Sequence, residues 1–195
     1  LPLNTAYTQA ELTYFIEDAA PRVVICDSKD HASMLELCKP RGIFVLTLGA
    51  DGQGSLADAA NTSPDQFDTV ARGPNDLAAL LYTSGTTGRS KGAMLSHKNL
   101  LSNAVSLTEL WEITDDDRLI HALPIFHTHG LFVAMNTSLL AGAKIRFMAA
   151  FKQDAVIKEL PKSTMLMGVP TFYTRLLGDD RMTNDICKGM RLFVS

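Results

Sequence analysis

The sequence has little charge imbalance, few cysteines and no long apolar run, and each shortage argues against a class of protein. Its 18 Lys and Arg residues nearly balance 21 Asp and Glu, leaving a formal charge of -3, so no basic surface for nucleic acid or anionic lipid is expected. Apolar runs such as Leu77–Tyr82 are far shorter than the roughly 20 residues that span a bilayer. Cys26, Cys38 and Cys187 are odd in number and lack CxxC spacing. Neither a disulfide framework nor a zinc site is indicated, and buried thiols in a reducing compartment are the simpler interpretation.

Hydrophobic residues make up 46% of the sequence, which is enough to build a core. Strand-like and helix-like apolar periods alternate, which is typical of an α/β protein with a mostly parallel β-sheet and flanking helices. Two polar stretches, Gly49–Gly54 and Asn61–Pro74, predict loops. They either separate two subdomains or form a surface excursion in one domain. Before them, the periods predict helices at Thr8–Ala20 and Ser28–Lys39 and strands at Arg22–Cys26 and Ile43–Thr47.

The alternation continues after the polar stretches. A strand at Leu77–Tyr82 is expected to lead through a polar loop straight into a helix capped by Ser96 and ending near Trp111. A nearly all-apolar helix at Thr128–Leu140 is expected to end at Gly142. The remaining predictions are strands at Arg118–Ala122, Ala143–Met148, Thr164–Met167 and Met190–Val194, and helices at Asp154–Leu160 and Pro170–Leu177.

The strongest chemical signal is Thr83–Gly92, which holds three glycines, five hydroxyls and one lysine. Glycines let backbone N–H groups approach an anion closely, hydroxyls add donors, and Lys91 adds a mobile charge suited to phosphate oxygens. The spacing is not that of a Walker A loop, because only two residues separate Gly85 from Gly88 and a glycine follows the lysine. The pattern favours a flexible loop that closes over a triphosphate and releases pyrophosphate, with a solvated linker as the alternative.

The segment Tyr82–Gly92 resembles the phosphate-loop signature of the adenylate-forming enzymes, which include acyl-CoA synthetases, luciferases and carrier-protein adenylation domains. The likeness covers essentially the whole chain, and its flanking segments resemble the malonyl-CoA synthetase branch. Ser90 departs from the pattern, since the superfamily usually has proline there, so loop stiffness could differ. The flanking segments are Leu1–Tyr7, Leu77–Leu80, Gly92–His97, Ile120–Gly130, Met167–Thr171 and Met190–Val194.

This resemblance implies that the loop binds the β and γ phosphates of MgATP while a carboxylate attacks the α phosphate. Such transfers are accelerated mainly by positioning and by neutralising charge, which donors and a lysine can provide. Thr86 and Lys91 are therefore assigned catalytic roles. The implied cofactor-binding residues are Thr83, Ser84, Gly85, Thr86, Thr87, Gly88, Arg89, Ser90 and Lys91.

A second constellation, Pro124–Gly130, contains two histidines between a strand and an apolar helix. An imidazole at a helix start could contact a carboxylate substrate, or both rings could simply be satisfied by backbone groups. The resemblance favours His127 as a catalytic residue that contacts the substrate carboxylate or acyl phosphate, and His129 less so. A metal site is not expected, because no third ligand lies at suitable spacing.

Two further segments contain candidate residues. Met167, Gly168 and Val169 match the end of the family's acyl-pocket strand and are predicted to bind substrate, although plain packing remains an alternative for Met167. Asp115–Asp117 is interpreted as an acidic turn before a strand and not as a metal site.

The resemblance implies that residues 1–195 are a fragment of the large N-terminal domain of an AMP-forming acid:CoA ligase, without its C-terminal domain and inactive alone. The expected reaction makes malonyl-CoA from malonate, ATP and CoA through a malonyl adenylate, with Mg²⁺ accompanying ATP. Partners are thus small molecules, with no nucleic acid and no membrane, in the cytoplasm or in mitochondria. The alternatives are a ligase for another small or medium acid and a non-catalytic nucleotide- or phosphate-binding module.

Overall fold

A computed structural model describes residues 1–83 and 90–195. The chain divides into two compact units, one of Asn4–Arg72 and one of Leu1–Leu3 with Gly73–Ser195. The division falls at the end of the second polar stretch, so the subdomain interpretation of that stretch is the one the structure favours. Phosphate-loop residues 84–89 lie outside the described residues.

The smaller unit is a helix–strand repeat around two parallel strands. Helix α1 begins after Thr8, whose side chain accepts a hydrogen bond from the backbone N–H of Glu11, and ends at a left-handed Ala20 before Pro21. Pro21 cannot continue the helix, so the cap and the proline define both ends locally. The elements are α1 (Gln9–Ala19), β1 (Val23–Cys26), α2 (His31–Cys38), β2 (Phe44–Thr47) and α3 (Ser55–Thr62), with short 3₁₀ turns at Ser28–Asp30 and Lys39–Arg41.

The core of the smaller unit lies between α1, α2 and the strands. Ile16, Met34 and Leu37 pack there with Cys38, which is fully buried. All three cysteines of the chain are free thiols, two of them only partly buried. The loop predicted from Asn61 is wrong at its start, since α3 includes Asn61 and Thr62.

The larger unit begins with an antiparallel hairpin of β3 (Leu77–Thr83) and β4 (Lys91–Ser96). The prediction that a polar loop leads directly into the helix is therefore wrong, because a second strand intervenes. In β4, Ala93 and Leu95 are partly buried while Met94 is 70% exposed, which is the alternation of a half-buried strand. The run is short and bounded by Gly92 and Ser96, so its sequence does not stand out from the preceding loop.

A four-stranded parallel sheet forms the rest of the larger unit, in the order β6-β5-β7-β8. The predicted, largely parallel α/β architecture is confirmed. Its strands are β5 (Arg118–His121), β6 (Lys144–Phe147), β7 (Met165–Met167) and β8 (Leu192–Val194), and its helices are α4 (His97–Leu110), a π-helical segment (His129–Ala134) continuing as α5 (Met135–Ala141), α6 (Gln153–Glu159) and α7 (Pro170–Leu177), with a 3₁₀ turn at Leu160–Lys162.

The two faces of this sheet are covered by different helices. Leu119 and Met165 pack with Ala134 on the face that carries the π-helical segment and α5. Ile120 and Leu166 pack on the opposite face with α6 and α7. Burial on both faces explains why every residue of β7, Met165–Met167, is apolar. No helix among the described residues is long and apolar enough to cross a bilayer.

Candidate active site

The strand order creates a switch point at the carboxyl edge of the parallel sheet. From β5 the chain passes to β6 on one side, and from β7 it passes to β8 on the other. Because β5 and β7 are neighbours, the connections that leave them diverge, and open α/β sheets bind ligands in the crevice formed there. The turn with His127 follows β5, and Gly168–Val169 follows β7. The two predicted substrate-binding segments therefore flank the same switch point.

His127 is exposed in the turn between β5 and the π-helical segment. Its backbone N–H donates to the carbonyl of Pro124 at 3.4 Å, and its own carbonyl accepts from the N–H of Leu131 at 3.0 Å. The imidazole lies against the ring of Phe126 with 4.4 Å between centroids. The backbone is thus held on both sides of the residue while the ring is exposed, which fits a group that contacts a ligand.

Gly130 lies at the end of this turn, where the backbone passes so close to Pro124 that no side chain fits. A Cβ atom there would lie 2.4 Å from the carbonyl oxygen of Pro124 and 3.2 Å from Cβ of Leu123. Neither atom can yield cheaply, so the return of the chain past Pro124 requires glycine. The helix that begins here is π-helical, a rare conformation that is frequent at functional sites.

His129 differs from His127 in its surroundings. Its Nε2 atom is buried without a hydrogen-bond partner among the described residues. Burial lowers the pKa of the ring, and the nearby His121 lowers it further. A neutral, partly enclosed imidazole fits a structural position better than a carboxylate-binding one. The weaker role expected for His129 agrees with this environment.

The segment after β7 divides into buried and exposed positions. Met167 is fully buried and packs in the core beneath the sheet, so the packing alternative is favoured for its side chain. The N–H of Gly168 donates to the carbonyl of Val194 at 2.9 Å, and a Cβ at Gly168 would lie 2.9 Å from the Phe172 ring. Val169, 38% exposed at the start of α7, is the position best placed to border a ligand.

Tyr173 of α7 is a residue at this edge that the sequence analysis missed. Its Oη atom lies 3.0 Å from the carbonyl oxygen of Leu166 and 2.5 Å from that of Val194, so the hydroxyl joins the ends of β7 and β8. Burial raises the pKa of Tyr173 to about 12, which keeps the donor protonated. The only sequence signal is its place on the apolar face of a predicted helix, which does not reveal the hydroxyl's partners.

The described ends of the phosphate loop meet where the loop joins the two strands of the hairpin. Thr83 is the last residue of β3 and Lys91 the first of β4, and the two are paired across the strands. Both are exposed, and Ser90 is partly buried. Of the predicted cofactor-binding residues, Ser84, Gly85, Thr86, Thr87, Gly88 and Arg89 lie outside the described residues.

The acidic turn lies at the opposite edge of the parallel sheet. Asp117 precedes β5 and is almost fully buried, with its carboxylate accepting hydrogen bonds from the Arg191 guanidinium and from the Thr164 hydroxyl. Asp115 and Asp116 are exposed. Among residues 1–83 and 90–195, no group of three His, Cys, Asp or Glu side chains could hold a metal ion.

A parallel sheet that places His127, Gly168 and Val169 after two strands at a switch point is typical of an α/β ligand-binding domain. The chain belongs to the AMP-binding enzyme family, which matches residues 1–195. Its fold is that of the N-terminal domain of adenylate-forming enzymes, so the resemblance inferred from the motifs is confirmed.

Individual relatives narrow the likeness further. The chain is 31% identical over 192 residues to a malonate–CoA ligase of Arabidopsis thaliana. The alignment covers 91% of this chain and 31% of the relative. It is 31% identical over 185 residues to an oxalate–CoA ligase of the same plant, covering 90% of this chain and 36% of the relative. The crystal structure of ATP-bound MatB from Rhodopseudomonas palustris superposes with a TM-score of 0.96 at 55% identity, covering 99% of this chain and 38% of that one. The chain thus spans 31–36% of the length of these two curated relatives.

Proposed function

We propose that the protein containing this chain is an AMP-forming malonate–CoA ligase. The observation that carries the proposal is the 55% identity to ATP-bound MatB over 99% of the chain. The likeness to a malonate–CoA ligase of Arabidopsis thaliana supports the acid. In the reaction a malonate oxygen attacks the α phosphorus of ATP and pyrophosphate leaves. The CoA thiol then attacks the acyl carbon, and AMP and a proton leave.

In the proposed first step, the phosphate loop acts on ATP and the residues of the switch point act on the acid. Lys91 extends from the end of the hairpin and neutralises charge on the phosphates as pyrophosphate departs. His127 donates to the carboxylate or acyl phosphate from its exposed position beside Phe126. Gly168 and Val169 border the acyl group from the β7 side. Thr83 to Ser90 supply the remaining phosphate donors.

Mg²⁺ and CoA complete the proposed set of small molecules. Mg²⁺ would accompany ATP, held by the ATP phosphates. When bound, it spreads the negative charge of the triphosphate. The three free thiols support a reducing compartment, which is the cytoplasm or the mitochondrion.

A ligase for another small dicarboxylic acid is the second candidate. The specific observation in its favour is the likeness to an oxalate–CoA ligase, whose identity to this chain is also 31%. Both acids present a carboxylate to the nucleotide and carry a second one, so the step at the α phosphorus is the same. The acids differ in the spacing of the two carboxylates.

The test is carboxylate-dependent exchange of radiolabelled pyrophosphate into ATP by the complete protein. Malonate, methylmalonate, oxalate and acetate are compared at equal concentration. We expect malonate to support the highest kcat/KM. Exchange led by oxalate would transfer the proposal to the second candidate, and exchange with none of these acids, despite binding of ATP, would favour a nucleotide-binding module.

The Lys91→Ala variant tests the role of the phosphate loop. Because Lys91 is proposed to act mainly on charge that develops in the transition state, kcat for exchange should fall by about 100-fold. The KM for ATP should change far less. Lys98→Ala is the matched control, since Lys98 is an exposed lysine on the neighbouring helix α4, and it should leave exchange unchanged. An equal loss in both variants contradicts the assigned role.

A further inference from the structure

The buried imidazole of His121 is not used by the steps described above. His121 is the last residue of β5, has no solvent exposure, and stacks on the Phe147 ring of β6 at 4.7 Å between centroids. Its Nε2 atom lies 2.8 Å from the carbonyl oxygen of Gly130. Since a carbonyl can only accept, Nε2 carries the proton and donates.

This hydrogen bond reaches the turn that holds His127. Gly130 is the residue at which the chain passes against the Pro124 carbonyl, and the same carbonyl accepts from the His127 backbone N–H. His121 therefore joins the rigid central strand to the point where the turn closes.

An apolar residue would be the cheaper occupant if packing alone mattered. The neighbours of His121 along the strand, Leu119 and Ile120, are also fully buried and apolar. A buried imidazole loses hydration at both nitrogens, and Nδ1 has no hydrogen-bond partner among the described residues. Because Nδ1 is unpaired, the hydrogen bond from Nε2 to the Gly130 carbonyl is the polar contact that offsets the cost of burying the ring.

We propose that His121 is a positioning residue for the adenylation step, holding the 123–130 turn so that His127 meets the carboxylate. The expected change in kinetics rests on the proposed function, whereas the expected loosening of the turn does not. His121 does not touch the reacting atoms. Its removal should therefore act through the placement of His127.

Three variants of the complete protein separate the hydrogen bond from the shape of the ring. His121→Leu removes the donor, His121→Asn keeps an amide that is too short to reach Gly130, and His121→Gln keeps an amide donor with a longer reach. We expect the Leu and Asn variants to raise the KM for the carboxylate and to lower kcat/KM by about 10- to 100-fold. The KM for ATP should stay within about twofold, and the Gln variant should recover most of the loss.

Ser138→Ala is the matched control, because Ser138 is also fully buried and its hydroxyl donates to the Ala134 carbonyl at 2.9 Å in the helix that continues from the turn. It should lower the melting temperature without raising the KM for the carboxylate. If Ser138→Ala changes that KM as much as His121→Leu does, or if His121→Gln recovers nothing, the proposal is overturned.

Amide hydrogen exchange decides the structural part without reference to activity. The amides of His127 and Leu131 both bond within the turn, and they should exchange at least tenfold faster in His121→Leu and His121→Asn than in Ser138→Ala. Unchanged protection in the variants would overturn the positioning role. If the wild-type protein exchanges pyrophosphate with none of the acids but the variants lose amide protection as expected, the proposed function is wrong and the positioning role of His121 stands.

Discussion

At the scale of single residues, two glycines shape the switch point, because each lies where a Cβ atom would meet a neighbouring group. Gly130 has no Cβ and lets the chain return against Pro124, while Gly168 lies close to the Phe172 ring. The two glycines differ in what they meet. A methyl group at Gly130 would meet a backbone carbonyl, which cannot rotate away, whereas at Gly168 it would meet a side chain.

We predict that Gly130→Ala displaces the His127 turn. The added Cβ would lie 2.4 Å from the Pro124 carbonyl oxygen, so the backbone must shift. The expected cost is about 1–3 kcal/mol in the free energy of unfolding. The kcat/KM for pyrophosphate exchange should also fall by more than about tenfold. Urea unfolding and the exchange assay measure the two effects.

Gly178→Ala provides the control for this substitution. A Cβ at Gly178 would be 3.5 Å from the Thr174 carbonyl oxygen, which is ordinary contact, and its φ of -80° suits any residue. It should leave both measurements nearly unchanged. If Gly130→Ala resembles Gly178→Ala, the turn tolerates a side chain and the steric argument is wrong.

At the scale of elements, α7 joins the carboxyl ends of two strands through one hydroxyl. Tyr173 lies in the first turns of the helix, and its Oη reaches carbonyls of β7 and β8 that are 28 positions apart in the chain, at Leu166 and Val194. The Val194 carbonyl also accepts from the N–H of Gly168, so the hydroxyl reinforces a contact that already links β8 to the segment after β7. The hydroxyl therefore supports the edge on which Gly168 and Val169 lie.

Removal of this hydroxyl should destabilise the sheet edge. Tyr173→Phe keeps the ring but removes the hydroxyl that reaches the Leu166 and Val194 carbonyls, and we expect a loss of about 1 kcal/mol in the free energy of unfolding at pH 7. Because burial raises the pKa of Tyr173 to about 12 from an ordinary 10.0, the folded state keeps a proton that the unfolded state releases between these values. Wild-type stability should therefore fall as pH rises from 10.0 to about 12, and this fall should be smaller in Tyr173→Phe.

The neighbouring Thr174→Ala is the control. Its hydroxyl is exposed and donates to the Pro170 carbonyl of its own helix, at 3.1 Å. Urea unfolding at neutral and alkaline pH should show little change in this variant. An equal effect of both substitutions would indicate a general loss of α7 helicity and not a loss of the link between strands.

At the scale of the larger unit, an ion pair between a buried carboxylate and a partly exposed guanidinium stabilises the amino edge of the parallel sheet. Asp117 precedes β5, and Arg191 precedes β8 and bonds both carboxylate oxygens. Arg191 also donates to the carbonyl oxygens of Trp111 and Glu112, beyond the end of α4. The backbone carbonyl of Asp117 accepts from the N–H of Lys144 at the start of β6. The pair thus connects three strands and a helix at the edge away from the proposed active site.

Asp117 should make the protein sensitive to acid. Hydrogen bonds from Arg191, chiefly, and from Thr164 lower the pKa of Asp117 from 3.8 to about 2, although burial opposes them. The folded carboxylate is stabilised relative to the unfolded one, so its contribution is complete above pH 3.8 and is lost as pH falls toward 2. We expect Asp117→Asn to cost about 1.5–3 kcal/mol at pH 7, which is the range for hydrogen bonds to a charged group, and to flatten this acid dependence.

Acid and urea titrations followed by circular dichroism measure this prediction. Asp116→Asn is the control, since that carboxylate is exposed in the same turn and should change stability by less than about 0.5 kcal/mol. Pyrophosphate exchange at neutral pH should survive Asp117→Asn if the variant stays folded, because the pair lies at the opposite edge. An unaltered acid midpoint in Asp117→Asn would contradict the assignment.

Local signals in the sequence predicted the elements whose ends are defined by neighbouring residues. Helix α4 begins after Ser96 as expected, because the Ser96 side chain accepts from the N–H of Asn99 three positions on. Helix α7 starts at Pro170, and α5 ends before a left-handed Gly142. In each case a cap, a proline or a glycine acts within one helical turn, so the sequence alone determines the outcome.

Contacts between distant residues decided the rest. Strand β4 was missed because its partner lies across the loop, at pairings such as Thr83 with Lys91. Asp117 and Arg191 are 74 positions apart, and no periodicity links them. The residue types at the site, a Gly- and hydroxyl-rich loop and the histidine-containing turn, were identified from the sequence together with the family and the fold class. The strand order, which brings the ends of β5 and β7 side by side, and the role of His121 beneath the turn follow only from the tertiary structure, because burial and pairing depend on which segments meet.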